Sequence, residues 1–261
     1  SATRVNSQGL IEDMQILSGD LVSNGDFSQE SSELVTNGDF SNGQISWSVS
    51  GANATHIATF NGDTLRYQSD TTSPQLIVAQ GNVLVVGKIY KITIDVKTLT
   101  SGSLKSDSLG GLNITPSVGV NTFYATATGT TFNITRATTN VDISIDNVSV
   151  KEVGQDWTFV NADISIGNNG LEIISQGGNR PQANQIISGL TVGNKYKLSA
   201  IAKRGTCVSS VEIEISGIGS TVTTNQNNTT EFANIFYEFT ATSTSHTIQA
   251  KIDDGASTIG E

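Results

Sequence analysis

The sequence predicts an all-β protein: two tandem β-sandwich domains preceded by a short N-terminal docking segment. Composition, turn spacing and an internal repeat support this prediction. Of the 261 residues, hydrophobic types make up 36% and charged types 15%, and 26 are glycine. Threonine suits a pleated surface, and asparagine and glycine suit tight turns, so this composition favours strands and turns over helices.

The clearest strand signal lies at residues 90–97, where YKITIDVK alternates apolar and polar residues. Tyr90, Ile92, Ile94 and Val96 are predicted to face a core, and the residues between them water. Turn signals recur along the chain, at Asn37-Gly38, Asn42-Gly43, Asn61-Gly62, Gly81-Asn82 and Gly110-Gly111. Short strands separated by such turns are typical of a sandwich or barrel.

An internal repeat divides the chain into two modules. Three landmarks recur in the same order: VGKIYKI at 86–92 with VGNKYKL at 192–198, Trp47 with Trp157, and Phe123-Tyr124 with Phe236-Tyr237. We therefore predict a first module at residues 34–153 and a second at 154–261. The last strand of the second module is expected to be missing, because of truncation or because a neighbouring chain supplies it. An open strand position of this kind invites pairing.

A short phrase occurs twice near the N-terminus, as LVSNGDFS at residues 21–28 and as LVTNGDFS at 34–41. The second copy is interpreted as the first strand of the first module, matched to a closing strand at 143–150. The first copy is interpreted as an aborted or borrowed opening, kept as a linker or assembly strand. Whether it pairs with the second sandwich or with another chain is left open. The second module is expected to lack an opening phrase.

Residues 1–33 are predicted to be a leader that docks on a partner. Asn6-Ser7 is expected to cap a short helix with Leu10, Ile11, Met14 and Leu17 on one side. A helix of one or two turns is marginal alone and needs a partner surface. A frayed tail is the alternative interpretation.

Charge and cysteine content exclude several classes of protein. The net charge is −10 at pH 7, and the 14 Lys and Arg residues are scattered, so no basic patch for nucleic acid is predicted. No segment approaches the ~18 apolar residues of a membrane span, and no membrane insertion is expected. Cys207 is the single cysteine, so the chain forms no internal disulfide. It is expected to be a small strand residue.

No catalytic residues are predicted. The two histidines, His56 and His246, lie in different modules, and neither has the local pattern of a nucleophile site. A paired-acid site is compatible with the many carboxylates, but no set of named catalytic roles is filled. We therefore expect a protein that is not an enzyme.

The opening phrase at 34–40, Trp47, the strand at 90–92 and the closing phrase IDNVSVKEV at 145–153 resemble one known family. They are similar to the galactose-binding-like jelly rolls grouped with xylanase-type carbohydrate-binding modules. Among these, the motif sequences most resemble those of modules in bacteriophage tail and virion appendage proteins. The leader ATRVNSQGLIE at 2–12 is similar to segments that precede such modules in phage structural proteins.

The resemblance implies a structural calcium ion between the opening and closing strands. The matching positions are Asp39, Ser41 and Asp146, with carbonyl groups near Gly38 as further oxygen ligands. Ser41 stands where the family often has an acid, which removes one charged ligand. The alternative is an Asx turn at Asp39 and a strand-end cap at Asp146.

The resemblance also implies glycan contacts on one sheet face, for which Arg66, Tyr67 and Tyr124 are the candidates. Core packing is the alternative for each aromatic residue, and Trp47 and Trp157 occupy the family's core position.

Three functions follow from these observations. The first is a phage virion appendage (tail fibre, spike or capsid decoration) at the extracellular virion surface. It would dock on other virion proteins through residues 1–33, form a homo-oligomer, most often a trimer in fibres, and bind host-surface polysaccharide. The second is a carbohydrate-binding module pair from a secreted polysaccharide-degrading enzyme. The third is a subunit of a surface filament or adhesion assembly.

Overall fold

The computed structural model describes residues 2–5, 11–14, 19–167, 170–175, 180–205, 211–218, 220–223 and 231–252. The all-β prediction is confirmed: these residues form antiparallel strands, with one short 3-10 helix at Asp107–Leu109. In the described ranges, no helix has the length and apolarity needed to cross a bilayer. Cys207 lies outside them.

The described N-terminal residues include two short strands. Strands β1 (Ala2–Val5) and β2 (Ile11–Met14) pair antiparallel, with Val5 opposite Ile11. The predicted helix is therefore wrong at residues 11–14. The other residues of that prediction, Asn6, Ser7, Leu10 and Leu17, lie outside the described residues. A single amphipathic turn cannot offset the cost of nucleating a helix, whereas strand pairing satisfies the backbone groups directly.

The first module is a sandwich of two five-stranded sheets, in the orders β10-β7-β12-β5-β4 and β3-β6-β11-β8-β9. Its strands are β3 (Ser48–Ser50), β4 (His56–Phe60), β5 (Leu65–Ser69), β6 (Ile77–Gln80), β7 (Ile89–Ser101), β8 (Leu104–Ser106), β9 (Leu112–Asn113), β10 (Gly119–Thr126), β11 (Phe132–Arg136) and β12 (Val141–Val153).

The core of the first module lies between its two sheets. Tyr90, Ile92, Ile94 and Val96 are buried, as the alternation in β7 predicts. The closing strand is β12, which lies between β7 and β5. Its register shifts between Asp146 and Ser149, where the Asp-Asn pair interrupts the alternation.

The second module repeats this strand sequence. Its strands are β13 (Thr158–Val160), β14 (Ala162–Gly167), β15 (Gly170–Ser175), β16 (Gln182–Ser188), β17 (Lys195–Ala202), β18 (Val211–Ile215), β19 (Ser220–Thr223), β20 (Ala233–Thr240) and β21 (Ser245–Ile252). One sheet has the order β13-β16-β21-β18-β19, and the pairs β14-β15 and β17-β20 are separate from it.

The opening phrase of the first module forms turns rather than the predicted strand. The indole Nε1 of Trp47 donates to the carbonyl oxygen of Asn37 at 2.9 Å, and its ring lies 5.3 Å from that of Phe40. The Gln80 amide bonds both backbone groups of Thr36, at 3.0 Å from Thr36 N and 2.6 Å from its carbonyl oxygen. These contacts attach the turns to the sandwich.

Residues 21–28 make the same contacts with the second module. Trp157 Nε1 donates to the carbonyl oxygen of Asn24 at 3.1 Å, and its ring lies 5.1 Å from that of Phe27. The Gln185 amide bonds Ser23 N at 2.9 Å and the Ser23 carbonyl oxygen at 2.8 Å. The expectation that the second module lacks an opening phrase is therefore wrong. The opening phrase of the second module, residues 21–28, comes before the first module in the sequence. It can still pack on the second module, since residues that contact each other in a fold need not be adjacent in sequence.

The chain consequently crosses between the modules twice, and the two crossings lie side by side. Ser31 N donates to the carbonyl oxygen of Glu152 at 3.0 Å, and Glu30 forms a β-bridge with Val153. A third apolar cluster fills the junction. Its buried members are Ile89, Val153 and Ile164, and partly buried residues including Tyr124 and Phe159 pack against them.

Candidate functional site

Tyr67 is not available to a ligand. Its side chain is fully buried in the first core, and its hydroxyl donates to the carbonyl oxygen of Leu76 at 2.6 Å. Burial raises the pKa of this phenol to about 12. The prediction of Tyr67 as a glycan contact is wrong, because its position on β5 points to the core face.

Arg66, the neighbour of Tyr67, points to the opposite face and is exposed. Its guanidinium bonds both carboxylate oxygens of Asp142, with Nε at 2.9 Å and Nη2 at 2.7 Å. The guanidinium lowers the pKa of Asp142 below its usual value. This bidentate, charge-assisted pair lies on the outer face of the sheet.

Tyr124 lies at the junction of the modules. It is partly buried and packs against the apolar cluster that includes Phe159 of the second module. Burial raises the pKa of its hydroxyl. The structure does not bring Tyr124 beside Arg66, since β10 and β5 are separated by β7 and β12 in the sheet order.

The three predicted calcium ligands already have protein partners. Asp39 Oδ1 accepts hydrogen bonds from Ser41 N at 3.3 Å and Ser41 Oγ at 3.0 Å, which is an Asx turn. Asp146 Oδ2 lies 3.2 Å from Lys97 Nζ, and its carboxylate also accepts from Asn147. In the described part of the chain, no three His, Cys, Asp or Glu side chains group together as metal ligands. These residues do not fit a calcium site as they are arranged, and the ion stays a prediction.

We expect a chelator to leave the melting temperature of the first module unchanged, because Lys97 already places a positive charge beside Asp146. Thermal denaturation with and without EDTA measures this. A structural calcium ion gives the opposite result: the chelator lowers the melting temperature, and the Asp146→Ala variant no longer responds to it.

A buried cluster in the first module superficially resembles a Ser-His-Asp site. His56 Nδ1 lies 3.0 Å from Ser69 Oγ, and His56 Nε2 lies 3.1 Å from Thr72 Oγ1 and 3.6 Å from Asp70 Oδ1. His56 and Ser69 are both buried. A nucleophile must reach its substrate, so we interpret this cluster as a satisfied core histidine beneath a turn.

The second module carries an exposed aromatic residue that the sequence interpretation missed. Phe236 on β20 is 63% exposed, and Lys197 Nζ lies 4.8 Å from the centre of its ring. The outward side chains beside it on β17 are those of Ser199, directly opposite, and Ile201. We call this surface, residues Lys197, Ser199, Ile201 and Phe236, the Phe236 face.

A second ring–cation pair follows the same pattern close by in sequence. Phe232 is 46% exposed, and Lys203 Nζ lies 5.0 Å from its ring centre. The Phe232–Lys203 pair lies just beyond the Ala202–Ala233 end of the β17-β20 ribbon, and the Phe236–Lys197 pair lies within the ribbon. Exposed apolar side chains rimmed by polar groups mark binding surfaces in soluble proteins.

The sequence interpretation missed Phe236 because its alignment was wrong by one residue. Phe123 pairs with Ile92, whereas Leu198, which matches Ile92, pairs with Tyr237. The residue that corresponds to Phe123 is therefore Tyr237, and Phe236 faces outward. A shift of one residue moves a strand side chain to the other face.

Comparison with solved structures finds weak similarity to two carbohydrate-binding modules. The N-terminal CBM22-1–CBM22-2 tandem domain from Paenibacillus barcinonensis Xyn10C is 9% identical, with a TM-score of 0.31, over 86% of this chain and 91% of that chain. A CBM4 structure is 18% identical, with a TM-score of 0.28, over 50% of this chain and 98% of that chain. No protein-family model and no curated protein matches the sequence.

Proposed function

We propose that the chain is a non-catalytic glycan-binding protein and that the Phe236 face is its binding platform. The observation that carries this proposal is the exposure of Phe236 on the β17-β20 ribbon, beside Lys197 and Ser199. The C–H groups on one side of a pyranose ring form an apolar surface that packs on an aromatic ring. Neighbouring polar groups then fix the orientation through hydrogen bonds to the hydroxyl groups.

We expect Phe236→Ala to weaken polysaccharide binding about tenfold or more, equivalent to ~1.4 kcal/mol. The loss follows from removal of the stacking surface. Affinity electrophoresis through gels with dissolved bacterial polysaccharides measures it. The matched control is Ile186→Ala, which shortens a side chain that is 72% exposed on the other sheet of the same module. Equal binding by the wild type and both variants would remove the Phe236 face from the proposal.

We further propose that this binding occurs at the surface of a phage virion. Support comes from the resemblance of residues 2–12 and of the repeated opening phrase to phage structural proteins. In this proposal, residues 1–18 contact other virion proteins, and copies of the chain associate, with a trimer as the expected form. Imaging the protein in its native assembly tests this, since the leader must then lie on a particle.

Two alternatives give different results in the same experiments. A carbohydrate-binding module pair of a secreted enzyme binds polysaccharide but is joined to a glycosidase domain in the same reading frame. A surface filament or adhesion subunit shows strand exchange between neighbouring chains. Capsid, portal or tail genes beside the coding sequence support the virion proposal.

A further inference from the structure

The lysine residues of this acidic chain are neutralised unequally. The chain has nine lysines and a net charge of −10. Six of them, at positions 88, 91, 97, 105, 151 and 251, form ion pairs with Asp or Glu side chains. The other three are Lys195, Lys197 and Lys203, which are exposed and lie on β17 or directly after it. Within the described ranges, none of these three forms an ion pair with a carboxylate. The lysines without a carboxylate partner are therefore concentrated at and beside the Phe236 face.

Two of these ammonium groups lie over aromatic rings instead. Lys197 Nζ lies 4.8 Å from the ring centre of Phe236, although Glu238 is directly opposite Lys197 on the ribbon. Lys203 Nζ lies 5.0 Å from the ring centre of Phe232. The attraction between an ammonium group and an exposed ring is weak, and it leaves the positive charge unneutralised. Each ammonium group can therefore turn to an incoming anion without breaking an ion pair.

The two ring–ammonium pairs are arranged as a repeat. Phe232 directly precedes β20, and Phe236 lies four residues further along. The alternation of a strand directs both rings to the same face, about 14 Å apart at the rise of an antiparallel strand. This face thus presents an apolar ring beside a positive charge twice. An oligosaccharide with acidic substituents has the complementary pattern, because its sugar rings have apolar C–H surfaces and its substituents are negative.

The corresponding surface of the first module lacks both components. Lys91 corresponds to Lys197 in the repeat, and its Nζ lies 2.6 Å from the Glu30 carboxylate. Thr122 takes the position of Phe236, so no aromatic ring stands there. The exposed ring and the unneutralised lysine therefore occur together in the second module and not at the equivalent place in the first.

We propose that the Phe236 face binds an acidic polysaccharide, and that Lys197 and Lys203 select the charged sugars. This inference rests on the proposed function and adds the class of ligand. A sugar ring packs on Phe236, and its carboxylate or sulfate group accepts charge-assisted hydrogen bonds from the neighbouring ammonium group. Neutral sugars have the same C–H surface but no partner for the ammonium group. Because the whole chain is negatively charged and repels polyanions, the selectivity depends on these two lysines.

Matched pairs of polysaccharides test the class of ligand. Isothermal titration calorimetry compares polygalacturonate and alginate with their methyl esters, and dextran sulfate with dextran, so that the charge is what differs within a pair. We expect at least one acidic form to bind about tenfold or more tightly than its neutral partner, equivalent to ~1.4 kcal/mol. The carboxylate and sulfate pairs identify which anion is preferred.

A matched pair of double variants tests the two lysines. Lys197→Gln with Lys203→Gln is expected to weaken binding of the acidic form about tenfold and to leave binding of the neutral form unchanged. Lys91→Gln with Lys105→Gln is the control, since it removes the same charge from lysines of the first module that are already paired. Lys197→Arg keeps the charge and is expected to retain binding.

The opposing outcomes are distinct. Equal or tighter binding of the neutral form in every pair, or equal effects of the two double variants, overturns this inference and leaves glycan binding at the Phe236 face intact. Binding to none of the polysaccharides overturns the proposed function and this inference together. A single-stranded DNA oligonucleotide is the remaining probe. If it binds more tightly than every acidic polysaccharide and the Lys197→Gln variant loses that binding, the face is a nucleic-acid site and the inference is wrong.

Discussion

Removal of residues 1–28 is expected to unfold the second module and leave the first folded. The truncation deletes the two Gln185 hydrogen bonds to Ser23, the Trp157 bond to Asn24 and the contact with Phe27. Each hydrogen bond contributes about 1 kcal/mol, and the ring pair ~1 kcal/mol. Leu21 and Val22 also leave the second core. Domains are stable by only about 5–15 kcal/mol, so the combined loss is decisive.

Differential scanning calorimetry separates the two modules and measures this effect. Loss of one transition, together with Trp157 fluorescence shifted toward that of a solvated indole, is the expected result. A matched pair of point variants provides the control. Gln185→Ala lowers only the second-module transition, whereas Gln80→Ala lowers only that of the first. Two unchanged transitions after truncation would mean that residues 21–28 are dispensable to the second module.

Gly38→Ala is expected to destabilise the first module by more than about 3 kcal/mol, among the largest effects of a single substitution. The new methyl group would lie 2.0 Å from the Val148 carbonyl oxygen, which is backbone and cannot rotate away. Either the opening phrase or β12 must move. Movement of β12 would disrupt the pairing of the central strand in a five-stranded sheet.

A fall of roughly 10 °C or more in the melting temperature of the first module is the measurable consequence. Gly25→Ala is the matched control, since only the Val22 side chain lies near its new methyl group. A Gly38→Ala protein that melts like the wild type would show that β12 and the opening phrase separate without cost.

Local sequence patterns predicted the strand at residues 90–97 well. They did not predict which module residues 21–28 would contact. The alternation in β7 correctly placed Tyr90 and Ile92 in the core, because a period of two depends only on neighbouring residues. The partner of residues 21–28 was not predictable in this way. Its contacts with Trp157 and Gln185 span more than a hundred residues, and sequence order suggested a leader instead.

The candidate site was predicted less well than the fold. Tyr67 was predicted as a glycan contact although it faces the core, and Phe236 was used only as a repeat landmark, in an alignment that was wrong by one residue. Counting alternate positions back from the buried Phe239 assigns Phe236 to the outward face. The cation–ring pair with Lys197 depends on the β17-β20 register, which only the structure provides.

The paired crossings at Glu30–Val153 change what a break in the chain does. A single proteolytic cut near residue 29, or one near residue 154, leaves the two modules joined by the other crossing. The first module is inserted between two adjacent crossings, so tension between residue 21 and β21 passes through the second module for as long as the contacts of Ser23 and Asn24 with that module hold. A different domain can therefore replace the first module if its two ends lie equally close together. The second module then keeps its hydrogen bonds between Ser23 and Gln185.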